Sequence, residues 1–139
     1  MIRTIIVDDE ILSRIGIQSF IDGKEDIEVA GVFGSAGEAL EFLKGTPVDI
    51  VITDIEMCGM DGLEFIGRIR QNQLAGGIII LSCHESFSYA QEALQKGTNS
   101  YLIKHSITED ALIQEVLKVY HETSGTSKGR AQTKKSPVE

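Results

Sequence analysis

The sequence predicts an α/β fold in which five parallel strands alternate with five helices. Five short apolar runs, nearly continuous and rich in β-branched residues, are typical of strands covered on both faces. An amphipathic segment with a helical period follows each run, and this alternation is the pattern of α/β proteins. A length of 139 residues fits one domain of this class.

The predicted strands are short, and isoleucine and valine dominate them. They cover Ile2–Val7, Ile27–Phe33, Val48–Thr53, Gly77–Ser82 and Ser100–Lys104. Right-handed crossovers between parallel strands give a doubly wound sheet with helices on both faces. The common strand order at this size is 2-1-3-4-5, as in flavodoxin-like folds.

The predicted helices are marked by apolar residues at intervals of three and four, which we expect to face the sheet. In chain order these are Ile11, Leu12, Ile15 and Phe20 in a first helix from about Ile11 to Ile21, then Ala36, Ala39, Leu40 and Leu43, then Leu63, Ile66 and Ile69, then Phe87, Ala90 and Leu94, and last Leu112, Ile113, Val116, Leu117 and Tyr120. Ser35 and Asp61 each stand three residues before a glutamate, which is the spacing of a helix-capping box.

Composition limits the function classes. Hydrophobic residues make up 42% and charged residues 24%, as in ordinary soluble proteins, and the net charge of -8 argues against binding to nucleic acid or an anionic membrane. The two cysteines do not form a disulfide scaffold or zinc-ribbon pattern. No apolar stretch approaches the roughly 20 residues of a membrane span, and the N-terminus lacks the pattern of a signal peptide. We expect a cytoplasmic chain.

The charge divides the chain into two parts. Residues 1–122 hold nine basic against twenty acidic side chains, a balance of -11, whereas residues 123–139 hold four against one, a balance of +3. The second part is rich in Ser, Thr, Gly and Lys and has almost no apolar residues. We therefore predict a globular domain over residues 1–122 and a flexible basic tail or linker over residues 123–139.

Polar side chains stand where four of the predicted strands end. These residues are Asp8 and Asp9 after the first strand, Asp54 after the third, Ser82 at the end of the fourth and Lys104 at the end of the fifth. Ligands of open α/β sheets bind beyond this edge, where the strand order reverses. Each residue alone has an ordinary interpretation as a helix cap, turn residue or solvated charge. Because four strand ends carry residues that could act on the same ligand, the residues taken together favour a single binding site.

The chemistry of this set points to a metal ion and a phosphoryl group. Neighbouring carboxylates repel each other by about 4 kcal/mol per close pair at an effective dielectric near 20, so they take up protons or a hard cation. A ligand set made only of oxygens favours Mg²⁺ or Mn²⁺, and Lys104 and Ser82 suit phosphate oxygens. Asp54 is central and is the predicted nucleophile on phosphorus, while Asp8 and Asp9 are predicted to hold the metal.

Four segments of the sequence read IIVDDE, DIVITDIEMCGMDG, IIILS and SYLIK. In their order and spacing, they together resemble the receiver domain of two-component response regulators, the CheY-like superfamily, and the resemblance covers residues 1–122. It implies that Asp54 accepts a phosphoryl group from a sensor histidine kinase. It also implies that Asp9 and Asp54 bind Mg²⁺ directly, that Asp8 binds it through water and that the main-chain carbonyl of Glu56 completes the ligands.

The resemblance also implies a conformational switch and residues that set the dephosphorylation rate. Ser82 and Lys104 would bind the phosphoryl oxygens, and Tyr101 occupies the family's aromatic switch position, so that Ser82 moving inward opens space for its ring. Glu56 and His84, two residues after Asp54 and Ser82, would tune the dephosphorylation rate. The alternative for Glu56 and His84 is that both are ordinary loop residues.

Two positions depart from the family pattern and bear on loop geometry. Cys58 and His105 stand where the family usually has proline. A cis bond before His105 would cost about 3 kcal/mol, so we expect a trans bond there.

Two other function classes share parts of the pattern. A haloacid-dehalogenase-like phosphatase also pairs an aspartate nucleophile with Mg²⁺, but its nucleophile follows the first strand of its core. A flavodoxin-like cofactor binder needs a phosphate loop after the first strand, where acids stand in this sequence. We therefore expect no multiple-turnover enzyme, only self-phosphorylation and slow self-dephosphorylation.

The output of the predicted receiver rests on resemblance alone. The segment FSYAQEAL resembles the AraC/YesN branch, and EDIEVAG resembles the LuxR/NarL branch. Both branches regulate transcription, so we expect a DNA-binding output domain on a longer parent chain. A stand-alone receiver that acts through protein contacts is the alternative. The resemblance further implies a homodimer formed through the fourth helix, fifth strand and fifth helix.

Overall fold

A computed structural model describes residues 1–56, 60–83 and 87–129, the side chains of residues 87 and 125–129 excepted. Five strands, five α-helices and one 3-10 turn lie within these ranges. In chain order they are β1 Ile2–Val7, α1 Ile11–Ile21, β2 Ile27–Phe33, α2 Ala36–Gly45, β3 Val48–Thr53, α3 Gly62–Gln71, β4 Ala75–Ser82, α4 Phe87–Lys96, β5 Ser100–Ile103, the 3-10 turn Lys104–Ser106 and α5 Glu109–Gly129.

The five strands form one parallel sheet in the order β2-β1-β3-β4-β5, which confirms the predicted fold class and strand order. In the register, Val7 pairs with both Phe33 and Thr53, and Ser82 pairs with Ile103. The carboxyl ends of β1 and β3 are therefore neighbours in the middle of the sheet, and those of β4 and β5 are neighbours at its side.

Hydrophobic cores lie on both faces of the sheet. One packs α2, α3 and α4 against strand residues such as Ile5 and Val51. The other packs α1 and α5 against the alternate strand residues, including Ile6 and Ile52. Because each face is covered, the strands carry apolar side chains on both sides, and this explains their nearly continuous apolar sequence.

The predicted core face of α1 is wrong at three of its four positions. Ile11, Leu12 and Ile15 are 63%, 83% and 57% exposed, whereas Ile17 and Ile21 are buried against the sheet. Apolar residues occur almost all round this helix, so their spacing alone does not single out the face that packs.

The predicted face of α4 needs a smaller correction. Leu94 is 51% exposed, and Ala93 is fully buried, alone among the α4 side chains that the structure describes. A small side chain lets the helix lie close to its neighbours, while the larger Leu94 faces outward. The face predicted for α2 is confirmed, because its four predicted residues, Ala36, Ala39, Leu40 and Leu43, are all buried.

Both predicted capping residues begin helices. The Ser35 hydroxyl accepts a hydrogen bond from the Glu38 amide, and the Asp61 carboxylate accepts one from the Leu63 amide. Gly62 opens α3 in close contact with the chain after β3, because its amide donates to the Ile55 carbonyl at 3.1 Å. A Cβ atom at Gly62 would lie 2.3 Å from that oxygen.

Several boundaries differ from the prediction. β4 begins at Ala75, and β5 ends at Ile103, so that Lys104 opens a 3-10 turn that contains His105. Helix α5 continues past Glu122 to Gly129, into the predicted tail. The hydroxyl of Thr123 donates to the Val119 carbonyl one turn earlier and keeps the helical spacing there. No helix in the described ranges is long and apolar enough to span a membrane.

Candidate functional site

Two aspartates meet where β1 and β3 end. The Asp54 amide donates to the Val7 carbonyl at 3.0 Å, and the Asp8 amide donates to the Phe33 carbonyl at 3.0 Å. Both residues thus extend the hydrogen-bonding pattern of the sheet by one position. They lie side by side because β1 and β3 are adjacent, as the predicted strand order requires.

Lys104 reaches both aspartates from the end of β5. Its Nζ donates to Asp54 Oδ2 at 2.7 Å and to Asp8 Oδ2 at 2.8 Å. A third carboxylate oxygen, Oε1 of Glu10, lies 3.5 Å from Nζ. The side chains of Lys104, Asp8 and Asp54 are 12%, 1% and 10% exposed, so these ion pairs are largely shielded from water.

The surroundings of Lys104 keep it charged. Burial disfavours its ammonium form, but hydrogen bonds to Asp54 and Asp8 and the charges of both carboxylates outweigh that effect and raise the pKa of Lys104. The lysine therefore remains a cation at neutral pH and can attract a further anion.

Within the described part of the chain, three donors hold the carboxylate of Asp8. Oδ2 accepts hydrogen bonds from the Ser13 hydroxyl at 2.6 Å and from Lys104, and Oδ1 accepts one from the Glu10 amide at 2.9 Å. Arg14 adds a bond from its guanidinium to the Asp8 carbonyl at 2.9 Å. These hydrogen bonds satisfy the buried carboxylate and fix its orientation.

Asp54 is less enclosed than Asp8. The residue is 8% exposed, and its Oδ1 accepts a hydrogen bond from the Glu56 amide at 3.1 Å while Oδ2 faces Lys104. The Thr53 hydroxyl donates to the Asp54 carbonyl and fixes the backbone at the strand end. A carboxylate that is fixed in place yet reaches the surface suits attack on an incoming group.

Three carboxylates could hold a metal ion. Oxygens of Asp8, Glu10 and Asp54 all lie within 4.8 Å of one another. An oxygen-only set of this kind fits the predicted Mg²⁺ or Mn²⁺. Asp9, a direct ligand according to the resemblance, is not one of the three, and Glu10 takes its place in this cluster.

Glu10 was missed as a site residue, although it belongs to the same acidic run. Its amide bonds to Oδ1 of Asp8, two residues earlier, and its carboxylate lies near Lys104. A local turn of this kind decides which member of an acidic run faces the strand ends, and composition does not reveal it.

The remaining predicted residues lie around this cluster. Ser82 is fully buried at the end of β4, beside the strand that leads to Lys104. Tyr101 is partly buried and packs on the core that α4 covers. His84 and Cys58 lie outside the described residues. For Glu56 the structure gives the amide contact to Asp54, and its carbonyl as a ligand stays a prediction.

Comparison with known proteins gives a consistent result. A family model described as the response regulator receiver domain matches residues 4–117. The nitrate/nitrite response regulator protein NarL of Escherichia coli is 30% identical over 108 residues, which are 78% of this chain and 50% of that protein. The transcriptional regulatory protein UhpA of Salmonella typhimurium is 33% identical over 116 residues, 84% of this chain and 57% of that protein. The chain thus spans about half the length of these curated relatives.

Solved structures agree with the sequence comparison. The signal receiver domain of the response regulator NarL from Mycobacterium tuberculosis superposes with a TM-score of 0.80 at 26% identity. The superposition covers 86% of this chain and 95% of that one. The similarity therefore extends through the whole sheet and its helices.

Proposed function

Because the chain belongs to the response regulator receiver domain family, we propose that Asp54 accepts a phosphoryl group from a sensor histidine kinase, with Mg²⁺ in the site. The observation that carries this proposal is the double contact of Lys104 with Asp54 and Asp8. It combines a nucleophilic carboxylate, a buried cation and further acids for a metal at one edge of the sheet. The exchange would take place in the cytoplasm.

The proposed transfer uses Asp54 as the attacking group. A carboxylate oxygen of Asp54 forms a bond to phosphorus as the bond from phosphorus to the donor histidine nitrogen breaks, and that nitrogen keeps the electron pair. When bound, Mg²⁺ supplies positive charge that offsets the charge of the phosphoryl oxygens. Asp8, Glu10 and Asp54 would hold it, and Asp9 and the Glu56 carbonyl remain predicted ligands.

Lys104 and Ser82 would respond to the new charge. The phosphoryl group brings about two negative charges, so the Lys104 ammonium would turn from the carboxylates towards the phosphoryl oxygens. Ser82 would donate a hydrogen bond to the same group and open space for the Tyr101 ring. Repacking of α4, β5 and α5 would then change the face through which we expect two copies to pair.

The output belongs to a longer parent protein in this proposal. The two curated relatives are about twice the length of the matched region, and UhpA carries the name of a transcriptional regulatory protein. A structurally similar chain is a two-component response regulator of the LuxR family, with a TM-score of 0.80. This favours a LuxR/NarL-type DNA-binding output over the AraC/YesN type, while the receiver domain itself would not bind DNA.

The central test is phosphorylation by a small-molecule donor. We expect incubation with acetyl phosphate and Mg²⁺ to add one phosphoryl group, located at Asp54 by mass spectrometry, and we expect Asp54→Asn to show no such gain. Asp49→Asn is the matched control on the same strand, because the Asp49 carboxylate accepts a bond from the Arg3 amide at the opposite end of β3.

Two results would contradict the proposal. One is an unmutated chain that gains no phosphoryl group at Asp54. The other is sustained hydrolysis of a generic phosphomonoester, which would indicate a phosphatase rather than a single-turnover receiver.

A further inference from the structure

We infer that Ser13 is a positioning residue of the site, whose hydroxyl keeps the Asp8 carboxylate oriented towards the metal when Lys104 moves to the phosphoryl group. Ser13 lies in the first turn of α1, and its Oγ donates to Asp8 Oδ2 at 2.6 Å. The inference rests on the proposed function and adds a residue that neither the strand ends nor the sequence motifs indicate.

The first step concerns the need of Asp8 for donors. Its side chain is 1% exposed, so water does little to stabilise the charge. A buried carboxylate is costly unless hydrogen bonds and a counter-charge compensate for the lost water. Oδ2 receives both side-chain donors, Ser13 and Lys104, whereas Oδ1 receives the backbone amide of Glu10.

The second step concerns the sharing of Lys104. Its single ammonium group serves Asp54 at 2.7 Å and Asp8 at 2.8 Å. A phosphoryl group on Asp54 would draw this cation away from Asp8, because the phosphoryl group carries more charge than a carboxylate. Of the two side-chain donors on Oδ2 among the described residues, Ser13 would then be the one that stays.

The third step concerns the metal. Hydrogen bonds to a ligating carboxylate fix its orientation, and their loss costs roughly 10- to 100-fold in metal affinity. Asp8 is expected to act through a water molecule, so the lower end of this range applies. We expect the Mg²⁺ dissociation constant of Ser13→Ala to rise about tenfold.

The experiment compares four forms of the chain: unmutated, Ser13→Ala, Ser13→Thr and Ser19→Ala. Ser19 is a matched control on the same helix, because its hydroxyl also makes a short bond, to the Gly16 carbonyl at 2.7 Å, but is exposed. Titration calorimetry with Mg²⁺ alone gives the affinity. Thermal unfolding with and without Mg²⁺ gives the stabilisation by the metal.

The inference predicts weaker Mg²⁺ binding and a smaller Mg²⁺-dependent rise in Tm for Ser13→Ala only. Ser13→Thr, which keeps the hydroxyl, should restore both values towards those of the unmutated chain. The rate of phosphorylation by acetyl phosphate should fall at low Mg²⁺ and recover at saturating Mg²⁺.

Three outcomes would overturn it. An unchanged or lower dissociation constant in Ser13→Ala would show that the hydroxyl does not orient Asp8 for the metal. A Tm that falls equally with and without Mg²⁺, at unchanged affinity, would show a structural role alone. In either case the proposed function would stand, provided that the unmutated chain bound Mg²⁺ and became phosphorylated. The third outcome is an unmutated chain that does neither, and then the inference and the proposed function would both fail.

Discussion

Lys104 balances the charge of the acidic residues at the strand ends. The residue contacts carboxylates that follow β1 and β3 while its own backbone follows β5. Its loss would leave Asp8 and Asp54 facing each other without a cation. Removing one partner of a buried ion pair is strongly destabilising because the other charge stays buried.

We therefore expect Lys104→Met to lower the free energy of unfolding by about 3 kcal/mol without metal. Mg²⁺ should raise the Tm of this variant more than that of the unmutated chain, since the metal replaces the missing cation. Because the pKa of Lys104 is raised on folding, the stability it adds is complete below its ordinary pKa of 10.5 and is lost at higher pH. Urea unfolding should show a constant difference at neutral pH that narrows above pH 10.5; a difference that vanished at neutral pH would contradict this.

Thr4 offers a contrasting case in the core. Its hydroxyl is fully buried within β1, and no hydrogen-bond partner for it exists in the part of the chain that the structure describes. A valine of the same shape removes an unsatisfied polar group. We expect Thr4→Val to raise the free energy of unfolding by about 1 kcal/mol.

Thr98→Val is the matched control for this change. The Thr98 hydroxyl is buried as well but donates to the Ile78 carbonyl at 2.9 Å, so its removal should destabilise the chain. Chemical unfolding of both variants measures the difference, and equal effects of the two changes would disprove the role given to the Thr4 hydroxyl.

Gly62 links α3 to the loop that follows Asp54. A side chain there would press on the Ile55 carbonyl, 2.3 Å from an added Cβ atom, and backbone cannot yield as a flexible side chain does. We expect Gly62→Ala to cost about 1–3 kcal/mol of stability and to slow phosphorylation of Asp54, since the backbone beside it would have to shift.

Gly67→Ala in the same helix provides the comparison. In the described part of the chain, no atom outside the backbone of its own helix lies within 4 Å of an added Cβ atom at Gly67, and alanine favours a helix by roughly 0.5–1 kcal/mol over glycine. In thermal unfolding, the Tm should therefore fall for Gly62→Ala and rise for Gly67→Ala. A loss of stability in both variants would refute the steric argument.

The helices show where sequence patterns are sufficient and where they are not. In α2 the four predicted apolar residues occupy one face, and this face is the buried one. In α1 they surround the helix, so Leu12 and Ile15 fit the spacing as well as Ile17 does. Which of them packs depends on how the helix lies across the sheet, a tertiary property that local spacing does not contain.

The site itself was predictable because the topology of the sheet determines it. Asp8, Asp54 and Lys104 are far apart in sequence, yet a parallel sheet in the order 2-1-3-4-5 brings the ends of their strands to one edge. Side-chain directions within that edge were not predictable. The turn at Asp8 directs Glu10 towards Lys104, and α1 brings Ser13 to the same carboxylate.

The whole chain combines an acidic domain with a basic end. Helix α5 runs beyond Glu122 to Gly129, so the change in charge falls within a helix. The part of the predicted flexible tail that follows this helix, residues 130–139, lies outside the described ranges. The division of the chain at residue 122 stays a prediction.

Dissolved salt will act unequally on the ion pairs of this molecule. The pairs Lys44–Glu41 and Arg68–Glu64 join side chains that are more than half exposed, and at 1 M salt a Debye length of about 3 Å screens such charges. The pairs that Lys104 makes with Asp8 and Asp54 are largely covered by the fold, so dissolved salt screens them much less. Added monovalent salt should therefore weaken the surface pairs more than the ion pairs at the strand ends.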